Sequence, residues 1–143
     1  MSWLTKLVPA RAPAHIEAGL WGEQQAERLL KKKGYRLLGR RVRVGDKDEL
    51  DLVMKKNGVL IFVEVKTRKS EDFGRPYEAV NRSKRRYLSR AAIHFLTQLK
   101  PRQRPDYFRF DIVEVIGTPE GDDPVVRHIE NAFSMEGGYR LPW

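Results

Sequence analysis

Asp51 and the run Glu64-Val65-Lys66 are the residues of this chain whose types and spacing could do chemistry. Two carboxylates gathered in apolar surroundings can hold a hard divalent cation. Mg²⁺ accepts carboxylates, backbone carbonyls and water. An adjacent lysine adds a positive group that can act on water or on developing charge. Whether the residues meet depends on the segment between them, which reads Lys47 to Met54, then Lys55-Lys56-Asn57-Gly58, then Val59 to Arg68. Two apolar runs flanking Asn-Gly are a strong hairpin signal, because both residues tolerate the positive φ of a type I′ turn. A two-residue loop sets Lys56 against Val59, Met54 against Ile61, Asp51 against Glu64 and Glu49 against Lys66. Alternation then puts Glu64 and Lys66 on one face. Opposed Cβ atoms on such a ladder lie about 4.5–5.5 Å apart. Like charges so placed destabilise a sheet, and burial makes the conflict worse unless a cation pairs them. The plainer reading is a solvent-facing Glu–Lys pair beside an unrelated aspartate, and these three residues alone do not choose between the two.

The elements that must position these residues follow from periodicity. Ala14 to Lys33 carries Ala18, Trp21, Gln25, Ala26, Leu29 and Leu30 at helical spacing, then stops at Lys31-Lys32-Lys33-Gly34 as helices do. Glu23 lies on this helix, where its ordinary role would be surface charge. Tyr35 to Val44 reads as an edge or half-exposed strand. Arg68 to Pro76 is a polar loop just past the Glu64-Val65-Lys66 strand, a place where loops often carry function. A helix capped by Asn81 or Ser83 runs to about Leu99, with Tyr87, Leu88, Ala91, Ala92, Phe95, Leu96 and Leu99 on its apolar face. Its first turns carry Arg82, Lys84, Arg85, Arg86 and Arg90 near a helix N-terminus, which favours phosphate. Tyr107 to Ile116 alternates as a strand, and Val125 to Phe133 alternates weakly. The expectation is an α/β fold: a single mixed β-sheet of four to five strands flanked by helices, spanning 14–133, between an N-terminal arm (1–13) and a C-terminal tail (134–143).

Composition narrows the class of partner. The 143 residues include 28 Lys and Arg against 19 Asp and Glu, for a net charge of +9. Such a balance points to an anionic partner, with nucleic acid first. Cysteine is absent, which excludes thiolate chemistry and disulfides and fits a reducing cytoplasm. No apolar run reaches the length of a membrane span, so no membrane partner is expected. His15, His94 and His128 lack zinc-ligand spacing, and no phosphate-cradling or dinucleotide glycine motif is present.

The combined pattern resembles a known family. Asp51 with Glu64-Val65-Lys66 is similar to the D…E-x-K core of the restriction-endonuclease-like PD-(D/E)XK nucleases. The closer resemblance, over about Ala18 to Val115, is to the small bacterial YraN-like family. It rests on Gly22-Glu23…Ala26…Leu29, Glu49-Leu50-Asp51-Leu52, Phe62-Val63-Glu64-Val65-Lys66-Thr67-Arg68, Gly74…Ala79-Val80…Lys84 and Arg109-Phe110-Asp111. The chain departs from that pattern at Asp48, where the family usually has glycine; this adds a carboxylate near the site.

The resemblance implies a restriction-endonuclease-like fold and a metal site. Asp51, Glu64 and the carbonyl of Val65 would hold Mg²⁺ (or Mn²⁺), with Lys66 acting on water or charge. Archaeal Holliday-junction resolvases, a related family, add a first-helix glutamate, which would match Glu23. The expected function is therefore Mg²⁺-dependent hydrolysis of DNA, extending to branched DNA, with Arg68, Lys84, Arg85 and Arg86 on backbone phosphates. Resolvases act as dimers, so a homodimer is an expectation of the resemblance alone. The alternative is a non-catalytic nucleic-acid-binding module with a vestigial metal site. A third reading is a structural protein whose acidic hairpin is a partner surface.

Overall fold

The computed structural model describes residues 14–138 and residue 143. In chain order the elements are α1 (Ala14–Lys32), β1 (Arg36–Val44), β2 (Asp48–Lys56), β3 (Val59–Arg68), a 3₁₀ turn at Pro76–Ala79, α2 (Arg82–Thr97), a second 3₁₀ turn at Pro101–Gln103, β4 (Tyr107–Ile116) and β5 (Val125–Phe133). The five strands make one sheet in sequence order. β1–β2 and β2–β3 are antiparallel, β3–β4 is parallel, and β4–β5 is antiparallel. The parallel pair needs a crossover, and α2 supplies it. The expected mixed α/β sheet is what forms, with the weakly alternating Val125–Phe133 segment as its fifth strand. The expected arm (1–13) and residues 139–142 of the expected tail lie outside the described residues. Of the rest of that tail, Met135 packs on the core and the Glu136 N–H donates to Ser89 Oγ at 2.9 Å.

The central hairpin forms as its Asn-Gly predicts. Asn57 and Gly58 have φ of 52° and 79°, and Lys56 pairs with Val59. From there the register runs outward to Leu52 with Val63. One face of the sheet, with Val42, Leu50, Val53, Leu60, Phe62 and Ile112, packs under α2 through Leu88, Ala92, Phe95 and Leu96. The other, with Leu52, Met54, Ile61, Val63, Val65 and Val113, packs under α1 through Ala26 and Leu30. Asn81 caps α2, its side chain accepting from the Lys84 N–H at 3.0 Å.

Two contacts set where the helix and the following loop meet the end of β3. Gly22 of α1 is buried, and a Cβ there would lie 1.9 Å from Thr67 Oγ1. The helix backbone therefore closes directly onto β3, one residue beyond Lys66. On the α2 side, Glu114 of β4 is fully buried and stands in register with Lys66. It accepts from Arg75 Nη2 at 2.7 Å, the Tyr77 N–H at 2.9 Å and Arg127 Nε at 2.9 Å. Burial would raise its pKa, but the two guanidiniums outweigh that and hold it below the usual carboxylate range. Glu114 is thus the anchor of the loop that follows β3.

Gly22→Ala tests the close approach. Alanine gains about 1 kcal/mol of helix propensity over glycine. The clash with Thr67 should reverse that sign and cost roughly 1–3 kcal/mol, as overpacking does. Denaturant melts of Gly22→Ala, Thr67→Ala and the double variant should show the double recovering part of the loss. Simple additivity would contradict the contact.

Candidate active site

Asp51 and Glu64 stand where β2 and β3 part. Backbone pairing of the two strands ends at Leu52 with Val63, although β2 extends to Asp48 and β3 to Arg68. In place of the next ladder bond, Asp51 Oδ2 accepts the Val65 N–H at 2.9 Å. The pair expected from the turn count is thus brought together: the Asp51 and Glu64 carboxyl groups are close enough for each to act on the other's charge. Glu64 is only 4% exposed. Lys66, two residues on and on the same face, places Nζ 3.4 Å from Glu64 Oε2. Lys84, reaching down from α2, places Nζ 3.5 Å from the same oxygen and 4.5 Å over the ring of Tyr87. Tyr87 in turn accepts the Glu49 N–H through its hydroxyl at 2.7 Å, tying α2 to the start of β2.

The first helix brings the third carboxyl group. Glu23 follows the buried Gly22, so the close docking of α1 onto Thr67 is what delivers it. It receives a two-point hydrogen bond from Arg41, Nε at 2.9 Å and Nη2 at 3.2 Å. Arg40 pairs with Leu52 and Val42 with Leu50, so Arg41 is the β1 residue opposite Asp51. Its φ of 46° lies in the left-handed region although β1 continues through it to Val44. Glu23 lies between two clefts. One of about 510 Å³ is lined by Glu27, Arg28, Lys31, Arg40 and Arg41. The other, of about 670 Å³, reaches Val65, Lys66, Thr67 and Arg68.

The electrostatics of this corner are dominated by burial, to which crowding of like charge adds. Burial, then the charges of Glu64 and Glu23, push Asp51 well above the ordinary carboxylate range, against the opposing Val65 N–H. Burial pushes Glu23 from 4.5 up to about 7, with Arg41 opposing and Glu49 and Glu64 adding to the rise. Among the described residues, four carboxyl groups (Glu23, Glu49, Asp51 and Glu64) crowd this corner against the cations Arg41, Lys66 and Lys84. Among the same residues, no three His, Cys, Asp or Glu side chains form a ready ligand set. Arg41 is the physical reason: it draws Glu23 into its own fork. The donor chemistry nevertheless fits a hard divalent cation, since two desolvated carboxyl groups adjoin one another with their charge only partly matched. Asp51, Glu64 and the Val65 carbonyl are the groups that would hold it, and Glu23 would join on leaving Arg41.

The expected phosphate contacts divide. Arg68 and Arg86 are exposed, Arg68 donating to its neighbour's carbonyl, Thr67 O, at 2.8 Å. Arg85 turns inward, donating to Val80 O at 3.0 Å with its guanidinium 5.5 Å from the Phe133 ring. Lys84 belongs to the carboxyl cluster. Asp48, read as one more carboxylate near the site, points instead at Arg90, which binds it through Nε at 2.9 Å and Nη2 at 2.7 Å. Nothing in the spacing marked Arg41 or the inward course of Lys84. Glu114 did carry a signal, as a carboxylate among Val113, Val115 and Ile116 in a strand.

Comparison with known proteins gives the family of the chain. A family model, Uncharacterised protein family UPF0102, matches residues 22–115. The chain belongs to this family. A UPF0102 protein of Syntrophomonas wolfei is 45% identical over 119 residues, covering 82% of this chain and 97% of the relative. One from Symbiobacterium thermophilum is 45% identical over 112 residues, covering 78% and 92%. Another, from Chloroherpeton thalassium, is 39% identical over 126 residues, covering 88% and 95%. The YraN-like resemblance is thereby borne out. The UPF0102 match runs from Gly22 to Val115 and so contains Glu23, Arg41, Asp51, Glu64, Lys66, Lys84 and Glu114. Among the described residues, no helix is long and apolar enough to cross a membrane.

The raised carboxyl groups fix a pH dependence. Protons are bound more tightly in the folded than in the unfolded state, so this contribution costs nothing below the unfolded pKa. The cost grows as pH rises from about 4.5 through about 7, the window Glu23 defines. In metal-free buffer, Asp51→Asn should therefore raise the melting temperature at pH 8 and do little at pH 5. Each kcal/mol of relief is worth about 3–5 °C in a chain of this size. A lower melting temperature at pH 8 would mean that Asp51 stabilises the fold.

Proposed function

We propose that this protein is a divalent-cation-dependent nuclease acting on DNA in the cytoplasm. One observation carries the reading: the Asp51–Glu64 carboxyl pair at the parting of β2 and β3, where like charges are brought together out of water. Groups placed against their electrostatic preference are expected where function requires them. The cation, Mg²⁺ or Mn²⁺, would sit on Asp51, Glu64 and the Val65 carbonyl. When bound it polarises the phosphate and acidifies its water.

The chain's own groups do the rest. The Val65 N–H fixes the Asp51 carboxylate, so its direction is set before substrate arrives. Lys66 orients the attacking water or stabilises charge as it develops on the phosphate. Lys84, converging on the same Glu64 oxygen, supplies a second cation to that space. Arg68 and Arg86 face solvent and bind backbone phosphates on either side, giving salt-dependent affinity with little sequence preference. Arg85 and Arg90 are spent on Val80 and Asp48.

A second reading has its own support. Lys66 and Lys84 already pair with Glu64, and Arg41 with Glu23, so the cluster is partly self-neutralised. On that reading the protein binds nucleic acid without cutting it, and the lysines serve only to offset the carboxylates.

A cleavage panel of linear and branched DNA with Mg²⁺ or Mn²⁺ separates the two. The nuclease reading expects cutting by wild type, none by Asp51→Asn, and a fall of about 10²–10⁴ for Lys66→Ala. DNA binding should persist in both variants. If wild type cuts nothing while Lys66→Ala lowers the melting temperature, the binding-module reading holds. Salt titrations add an independent check. Replacing Arg68 and Arg86 together should reduce the slope of log affinity against log salt by about 0.9 for each phosphate no longer neutralised. Arg85→Ala should instead destabilise the fold and leave the slope unchanged.

A further inference from the structure

Phe73 lies in full solvent, at 104% relative exposure; no other large apolar side chain among the described residues exceeds the 61% of Tyr107. Burying a phenylalanine is worth roughly 1.5–3 kcal/mol, so a ring left in water forgoes a sizeable contribution. The ring is not on a loose strand of chain. The Gly74 N–H bonds back to Glu71 O at 3.0 Å, closing a turn with Phe73 at its third position. Both sides of that turn are pinned. Glu71 is ion-paired with Arg127, and Arg75 donates to the buried Glu114 at 2.7 Å. The Arg75 guanidinium also lies 4.7 Å from the centre of the Tyr77 ring. The turn therefore presents Phe73 on a fixed support.

That support is shared with the candidate active site. Glu114 is the β4 partner of Lys66, and Phe73 is two residues from Arg75, at most about 7 Å of chain. The surroundings define what the ring can meet. Arg68 and Lys69 are exposed at the start of the same loop and suit phosphates. Asp72, immediately beside the ring, is exposed and repels them. A flat apolar face on a loop that opens with two exposed cations, and that has an acid next to it in sequence, suits the face of a nucleobase and not the backbone.

We propose that Phe73 is a stacking site for an unpaired nucleobase, so that the nucleic acid taken by this protein carries a single-stranded or opened segment next to the phosphate at the carboxyl cluster. The inference rests on the nucleic-acid reading above. In uninterrupted duplex every base face is already stacked, and the ring would find no partner. In a single strand or gap the base is free, and an aromatic side chain accepts any of the four bases.

The test uses the full chain in metal-free buffer with chelator, so that binding is read without cutting. Fluorescence anisotropy is measured for a labelled single strand, a gapped duplex and a blunt duplex of equal length. Wild type should prefer the first two. Phe73→Ala should weaken them about 5–100-fold, the range that loss of one base–aromatic stack gives, and leave the blunt duplex unchanged. Phe73→Trp should restore the preference, and Phe73→Leu, apolar but not flat, should not. Because the ring is exposed, all three variants should melt as wild type does. An unchanged preference in Phe73→Ala, or full rescue by Phe73→Leu, overturns the stacking site while the duplex affinity leaves the nucleic-acid reading intact. Absence of binding to every DNA at low salt would overturn both. Sedimentation run alongside decides one further outcome: if Phe73→Ala dissociates a dimer and changes no DNA affinity, the ring is a contact between copies and the proposal fails.

Discussion

The burial of neighbouring carboxyl groups is the constraint to which the rest of this molecule answers. Asp51 and Glu64 are held together by the hairpin register, and Glu23 is delivered beside them because Gly22 lets α1 close onto Thr67. Burial, and then their mutual charge, pushes both Asp51 and Glu23 above their ordinary pKa. The surrounding sequence places cations against that field from three directions: Arg41 from β1, Lys66 from β3 and Lys84 from α2. Their reach is possible only because the strands part at this end. Three elements far apart in sequence thus converge on a corner that the hydrophobic core alone would not have built.

The other buried acids show the contrast. Asp48, Asp111 and Glu114 each have a guanidinium in direct hydrogen bond, and each is held below the usual carboxylate range. Asp111 takes two bonds from Arg109, one from the Asn131 N–H and one contact with His128, locking β4 to β5. Asp111 pairs with Val63 and Ile112 with Glu64, so this lock sits on the opposite face from the cluster. These acids are ordinary structural pairs. Asp51 and Glu23 are shifted the other way, because burial there outweighs the groups that would hold them charged.

The hairpin was legible in the sequence because two strong local rules act on it. Asn57-Gly58 fixes the turn, and a side-chain period of two then fixes which residues oppose. The mixed sheet was legible for the same reason, since each strand and helix carries its own period. What escaped depended on long-range packing. A run such as Lys84-Arg85-Arg86 reads as one basic surface, yet its residues go to Glu64, to Val80 and to solvent respectively. Arg41 gave no warning, because arginine is not a residue type that favours the left-handed backbone it adopts there. Asp48 looked like a site carboxylate by proximity in sequence and proved to face Arg90.

The central claim is that the Asp51–Glu64 pair is a cation site. Anomalous X-ray scattering from crystals grown with Mn²⁺ tests it most directly. The account predicts one strong peak per chain between the two carboxyl groups, absent from crystals of Asp51→Asn. A map at millimolar Mn²⁺ with no peak there, and with Asp51 and Glu64 ordered in place, would contradict it.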